Sequence, residues 1–245
     1  MVTQRFLRSL LTESNICFKQ LFVSKLRPDT RKRLIAAASA LFAERGFHGT
    51  KARDIAARAG VNLAAGNYHY GSKKELYLEV LRAEFAETRA LLKRRGAIRA
   101  ATEMGRLSRR QVVGLLRARA RVMLDMLIGP PAGVHGTLML REMTDPSEAL
   151  PVIVEEFIRP MKQEIEDIVA HLEPGLARGD VERCAFSIVA QALFYRFTMP
   201  ATLKMWGLRQ YPRFLGRQLA DHITEFSLGG LDRLVARRTR LRHGR

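Results

Sequence analysis

The sequence predicts an all-α protein, with an N-terminal three-helix helix-turn-helix domain followed by a larger helical domain. Three observations predict it. Apolar residues recur at helical spacing from Leu34 onward, the chain carries almost no strand signal, and glycines and prolines punctuate the apolar stripes.

The first element is the clearest. Leu34, Ala37, Ala38, Leu41 and Phe42 fall at i, i+3, i+4, i+7 and i+8, one apolar stripe on a helix. Asp29 or Thr30 offers an N-cap oxygen, and Gly46 is the expected stop. Arg31, Lys32, Arg33 and Arg45 occupy the opposite face. Thr50 is expected to cap a second helix whose Ile55, Ala56 and Ala59 face inward. Gly60 then turns the chain, Val61 packs beneath the turn, and Asn62 starts a short reading helix that Gly71 ends. Ser72 caps the next helix, ahead of Lys73 and Lys74. Two helices joined by a short Gly-containing turn make a helix-turn-helix, whose second helix enters the major groove of DNA.

Beyond it, Tyr77, Val80, Leu81, Phe85, Leu91 and Leu92 continue a stripe along a long helix that ends near Arg95. GAIRAATEMGRLS reads as a connector. Val112, Leu115, Leu116, Val122, Met123, Met126 and Leu127 mark a further long helix, broken at Gly129-Pro130-Pro131-Ala132-Gly133. Two shorter segments follow, split at Asp145-Pro146. A long one runs from about Leu150 to Leu172, with a kink expected at Pro160. Glu173-Pro174-Gly175 makes the next turn, Asp180 caps the helix over 181–204, and the last helix starts at Pro212 and runs to about Arg240. The domain plan is an extension over 1–26, the helix-turn-helix domain over 27–75, a helical effector-binding and dimerisation domain over 76–236, and a basic tail over 237–245.

Residues 29–75 closely resemble the N-terminal domain of the TetR/AcrR family of transcriptional regulators. Ala40-Leu41-Phe42, Gly46-Phe47, Thr50, Asp54-Ile55-Ala56, Ala59-Gly60-Val61, Tyr68-His69-Tyr70 and Ser72-Lys73 carry the resemblance at the family's spacing. VNLAAGNYHYGSKKELY, with LREMTDP and FYRFTMPATLKMWG downstream, looks like the CecR-type subgroup. The resemblance implies double-stranded DNA, a second copy of the chain and a small-molecule effector as partners. It also implies the residues on the DNA. Asn62, Leu63 and Ala64 lead the reading helix, Asn67 and Tyr68 form its next turn, and His69 stands at its end. Asn can bond adenine bidentately, and small apolar side chains can touch a thymine methyl. Thr50, Lys51, Tyr68 and Lys73 are expected on phosphates. Two positions depart from the family. Leu63 replaces a polar residue, and Gly66 replaces an apolar anchor, at about 1 kcal/mol relative to Ala in a helix interior. Tyr70 reads as a core aromatic.

Composition sets the frame. The chain has 245 residues and a formal net charge of +18, with 47% hydrophobic and 27% charged residues, proportions of a folded soluble protein. Its basic character suits a polyanionic partner. Residues 27–75 hold ten Lys or Arg against four Asp or Glu, so only +6 of the excess lies there. No run of about 18 apolar residues is present, so no stable membrane insertion is expected. Cys17 and Cys184 belong to no metal or redox spacing, and a reducing, cytoplasmic location fits. Residues 1–26 show helical spacing at Leu7, Leu10, Leu11, Phe18 and Leu21 but fit a secretory signal poorly. They read as a basic surface helix, as a DNA-gripping arm, or as a non-native extension with translation starting near Val23.

In relatives the second domain encloses a ligand pocket and pairs its last long helices with a partner copy. For the pocket, Met123, Met126, Met139, Phe157, Phe194, Arg196 and Trp206 are the candidates, against a plain-core reading of the same residues. For the dimer interface they are Ala185, Val189, Ala192, Leu193, Leu219, Ile223 and Phe226, which intrachain packing would equally explain. Arg141 and Glu142 could orient a ligand or pair with each other.

No Gly-rich phosphate loop, HExxH, paired Cys site or G-x-S-x-G elbow is present, so neither an enzyme nor a metal or cofactor site is expected. The alternative is a basic helical protein that binds DNA or anionic membrane surfaces without sequence specificity. The charge and the tail Arg237-Arg238-Thr239-Arg240-Leu241-Arg242-His243-Gly244-Arg245 favour it.

Overall fold

The stripe of Leu34, Ala37, Ala38, Leu41 and Phe42 is buried along helix α1, residues 30–49. The computed structural model describes residues 30–62, 70–98, 101–129 and 134–243. Sequence expectations for 1–26, for Leu63, Ala64, Gly66, Asn67, Tyr68 and His69, and for Gly244-Arg245 lie outside the described residues. No strand occurs among the described residues. No helix among them is long and apolar enough to cross a membrane.

The chain divides into two compact units, Met1–Val80 and Leu81–Arg245. In the first, α1 does not end where the glycine predicts. Gly46 does take a left-handed conformation at φ 73, but helical structure continues to Gly49 before the chain turns. Helix α2, Ala52–Ala59, buries Ile55, Ala56 and Ala59 as its spacing predicts. Gly60 closes it at φ 63, and the Val61 amide reaches back to the Ala56 carbonyl at 3.0 Å, which satisfies end carbonyls that would otherwise stay open. Helix α3, Lys73–Arg94, begins after Ser72, whose hydroxyl accepts the Glu75 amide at 3.1 Å. Phe42 meets the Tyr77 ring edge-on at 4.8 Å between centroids, and Phe47 lies 5.1 Å from the same ring. The aromatic cluster thereby joins α1 to the first turns of α3.

The second unit continues from Leu81. After the short α4, Ala101–Met104, a capping box at Ser108 and Gln111 starts α5, Arg109–Ile128. Helix α6, Val134–Thr144, follows, and then α7, Leu150–Ile153. A π-helical stretch, Val154–Ile158, runs straight into α8, Arg159–Leu172. The expected kink at Pro160 is thus taken up by a widened turn. Helix α9, Arg178–Phe197, begins earlier than expected, and Asp180 is not its cap. Asp180 instead sits in the first turn, where its carboxylate pairs with Arg183 at 2.6 Å and Arg238 at 3.2 Å. The chain breaks at Thr198 into α10, Met199–Met205, and closes with α11, Leu215–His243.

Helices α5, α8, α9 and α11 share one core, built on residues such as Leu116, Leu124, Ile168, Ile188, Ile223 and Leu231. Each fully buried aliphatic side chain there contributes about 1.5–3 kcal/mol. Arg109 fastens three of these helices at one end. It donates to the Leu172 carbonyl and the Glu173 carboxylate, both at 2.7 Å, and to Asp232 at 3.0 Å.

Candidate nucleic-acid interface and ligand cavity

The residues expected on DNA fall at three kinds of place. Lys51 is exposed at the N-cap of α2, no side chain caps that helix, and the Asp54 amide turns back to the Lys51 carbonyl at 3.0 Å. Such a helix start, beside an exposed ammonium, suits an anion. Asn62 is exposed just past the Gly60 turn.

Thr50 is a correction on two counts. Its side chain is only 1% exposed, and its hydroxyl lies 2.7 Å from the Gly46 carbonyl oxygen and 3.1 Å from that of Leu41. It therefore closes the end of α1 instead of capping α2, and it offers no hydroxyl to a phosphate. Lys73 is half-committed. Its ammonium donates to the Phe47 carbonyl at 3.0 Å and lies 4.1 Å from the centre of the Phe47 ring. An ammonium has three donors, so this position leaves capacity for a further acceptor. Tyr70 is buried, with its hydroxyl on the Arg31 carbonyl at 3.4 Å, and burial pushes the phenol up from its usual range. It is a core residue, as expected.

Much of the basic surface of this unit is already paired. Arg31 meets Glu79 at 2.6 Å, Arg58 meets Glu44 at 2.8 Å, and Arg45 meets Asp54 at 3.3 Å. These exposed pairs contribute little stability, typically up to about 1 kcal/mol. At the α2 start, Asp54 answers Arg45 and, at 3.6 Å, Arg53, while the neighbouring Lys51 ammonium stays exposed.

In the second unit, α3, α5, α6, α8 and α9 enclose a cavity of about 260 Å³. Met123, Met126, Met139 and Arg196 line it, as expected. Three other expected residues do not. Phe157 stands behind the wall, stacked on the lining Phe85 with centroids 4.2 Å apart and planes 6° apart. Phe194 and Trp206 point outward, 59% and 46% exposed. Helical spacing marked them as apolar but could not say toward which neighbour they turn.

The dimer candidates separate in the same way. Ala185, Ala192, Leu219 and Ile223 are buried within the single chain, and Val189 and Leu193 pack against that core and line the cavity. Intrachain packing accounts for these six. Phe226 is the exception, 67% exposed, and other large apolar side chains join it on the surface: Phe194, Met205, Trp206 and Phe214. Helices α9 and α11, which carry Phe194 and Phe226, are tied by a Gln191–Ser227 hydrogen bond of 3.2 Å.

Sequence reasoning missed the polar members of the cavity wall. Arg119 is one, buried among the apolar residues of α5, bonded to Glu164 at 2.5 Å and to the Ala97 carbonyl at 3.2 Å. Its signal was available: an Arg set three residues after Leu116 and three before Val122 on a buried stripe. Lys162 is another, held by Glu166 at 2.9 Å and Glu182 at 2.7 Å, and Glu84 and Thr88 of α3 join them in the wall. Glu142, a pocket or ion-pair candidate, accepts the Ser147 amide at 2.9 Å and hydroxyl at 3.0 Å, closing the turn after α6. Cys184 is half-buried, and burial pushes its thiol up, as for an unreactive packing cysteine.

Comparison with known proteins agrees with this division. The family described as "Bacterial regulatory proteins, tetR family" matches residues 34–80. The family of the C-terminal domain of the HTH-type transcriptional dual regulator CecR matches residues 113–231. The dual regulator CecR of Shigella flexneri is 33% identical over 144 residues, which cover 57% of this chain and 63% of that relative. The matched region therefore spans less than two thirds of the relative's length. Among solved structures, SCO4454, a TetR-family transcriptional regulator from Streptomyces coelicolor, superposes with a TM-score of 0.60 at 21% identity, covering 83% of this chain and 96% of that one. A TetR-like transcriptional regulator from Rhodococcus sp. RHA1 gives 0.58 at 18% identity, covering 83% and 96%. At such identities the structures speak to the fold, and the sequence matches at both ends carry the assignment. The match at residues 34–80 to the tetR family and that at 113–231 to the CecR C-terminal domain together support a TetR-family regulator that is CecR-like in its C-terminal domain.

Proposed function

We propose that this protein is a sequence-specific, DNA-binding transcriptional regulator, a ligand-responsive repressor that acts as a homodimer on a near-palindromic operator. The carrying observation is the TetR-family match over residues 34–80, laid on a unit in which α2 ends at a left-handed Gly60 turn and leads straight to Val61 and Asn62. Lys51 and the first amides of α2 would meet phosphates and set register, while Asn62 to His69 would read base edges. Two heads carried by a dimer would reach successive major grooves, and a two-fold protein asks for a two-fold site. The cavity of the second unit supports a small-molecule effector. Effector and operator would favour different states, so each would weaken the other's binding by the same factor. The role places the protein in the cytoplasm, and it needs no catalytic step.

A second reading, a non-specific binder of polyanions, is favoured by the charge of +18, most of it outside the reading domain. The two are separated by selecting bound duplexes from a random library at about physiological salt, where non-specific binding is weak. Recovery of a shared near-palindromic site is the expected result. Folded protein that enriches no site would overturn the specific reading and favour the non-specific one.

A further inference from the structure

The cavity carries a charge, on Arg196, that no carboxylate among the described residues neutralises. Its wall is apolar apart from a few side chains, and three of those are cations: Arg119, Lys162 and Arg196. Arg119 is paired with Glu164, and Lys162 with Glu166 and Glu182. Arg196 has no carboxylate among the described residues. One of its terminal nitrogens donates to the Thr137 hydroxyl at 2.8 Å, and its Nε is buried without an acceptor. The acidic side chain in the wall is Glu84, which has a partner of its own. The sequence from Pro130 to Gly136, just ahead of Thr137, contains no acidic residue.

A guanidinium does not give up its proton at neutral pH, even where, as here, burial pulls its pKa down. The side chain therefore stays cationic against an apolar wall, with donors to spare. An uncompensated charge in such surroundings is costly, and a planar carboxylate meeting the fork with two hydrogen bonds removes that cost. We propose that the occupant of the cavity is an acidic amphiphile, a small carboxylic acid with an apolar body, whose carboxylate pairs with Arg196. This rests on reading the cavity as the effector site. The volume of about 260 Å³ lies just under the ~300–1,000 Å³ of drug-sized ligand sites, so the body is small. The apolar tail lies along Met123, Met126 and Met139, whose unbranched side chains adapt to its shape. Exposed Met143, Phe186 and Phe197 also line the cavity and form its mouth.

The test is isothermal titration of the full-length protein with decanoate, decanol and decyltrimethylammonium, each kept below its aggregation concentration. Decanoate should bind at least ~10-fold tighter than decanol, the ratio expected of one charge-assisted contact, and the ammonium should bind most weakly. In Arg196→Gln the carboxylate's advantage should vanish while decanol binding stays. Arg196→Lys should retain part of the advantage, because it keeps the charge without the fork. A wild-type protein that binds decanol or the ammonium as tightly as decanoate overturns the anion assignment and leaves the cavity a binding site. Failure of all three to bind overturns the cavity's reading as an effector site as well. The wild-type comparison decides the matter even where a substitution unfolds the chain.

Discussion

The Thr50 hydroxyl has one proton and two carbonyl oxygens within reach, those of Gly46 and Leu41. It sits where α1 would otherwise end with carbonyls open inside the protein, and an unmet buried acceptor costs about 1–3 kcal/mol. Thr50→Val keeps the shape and removes the donor. We expect a loss of about 1–2 kcal/mol in urea unfolding of the first unit, restored in Thr50→Ser, with the salt slope of DNA binding unchanged. A variant of unimpaired stability but weaker DNA binding would return Thr50 to the phosphate contacts. Residues of this kind mark where reading a sequence runs out. The stripe from Leu34 to Phe42 and the Gly60 turn were legible because they are set within one or two helical turns. The direction of the Thr50 side chain was not, because it depends on Gly46 leaving the helix path without ending the helix. Arg119 was hidden for a related reason. Its partners, Ala97 and Glu164, come from distant parts of the chain.

At the scale of elements, the π-helical stretch ahead of α8 shows two causes acting at one place. Pro160 has no amide to donate, and its ring crowds the carbonyl four residues earlier, at Glu156, so a regular α-helix is disfavoured there. The wide turn answers this, with the Arg159 amide reaching back to the Val154 carbonyl. It also inserts an extra residue, which sets the facing of Ile153 and Phe157 toward the core. Restoring regular helix would regain about one hydrogen bond, worth ~1 kcal/mol. It would rotate Phe157 off Phe85 and sacrifice burial worth about 1.5–3 kcal/mol. Packing is the larger effect. Pro160→Ala should therefore keep the wide turn and change stability by less than about 1 kcal/mol, whereas Phe157→Ala should cost about 3–5 kcal/mol. Denaturation midpoints for the two variants give the comparison, and the reverse order would make the proline the cause. The proline was visible in the sequence as a kink. Its form was not, since the choice between bend and wide turn is made by Phe85, some seventy positions away.

At the scale of the whole molecule, α9 and α11 both present large apolar side chains to solvent. Phe194, Phe214 and Phe226 are each more than half exposed. Periodicity could show that these helices bury residues on more than one side. It could not tell the side turned to the chain's own core from the side turned to a partner, and so Ala185 and Ile223 were grouped with Phe226. Their near-complete burial leaves them unavailable to a partner, whereas the outward aromatics are exposed. A two-fold interface uses the same patch from both copies, so one substitution acts twice. Phe226→Glu would set two carboxylates against that apolar surface, at a site where no buried neighbour is disturbed. The expected result is a dimer for the wild-type protein in sedimentation and at least ~100-fold weaker association for the variant, with unchanged helix content. Operator binding should fall with it, because heads that bind singly lose the joint engagement of both half-sites. A monomeric wild type, or a variant that dimerises as before, would remove this face from the assembly and, with it, the two-headed mode of reading DNA.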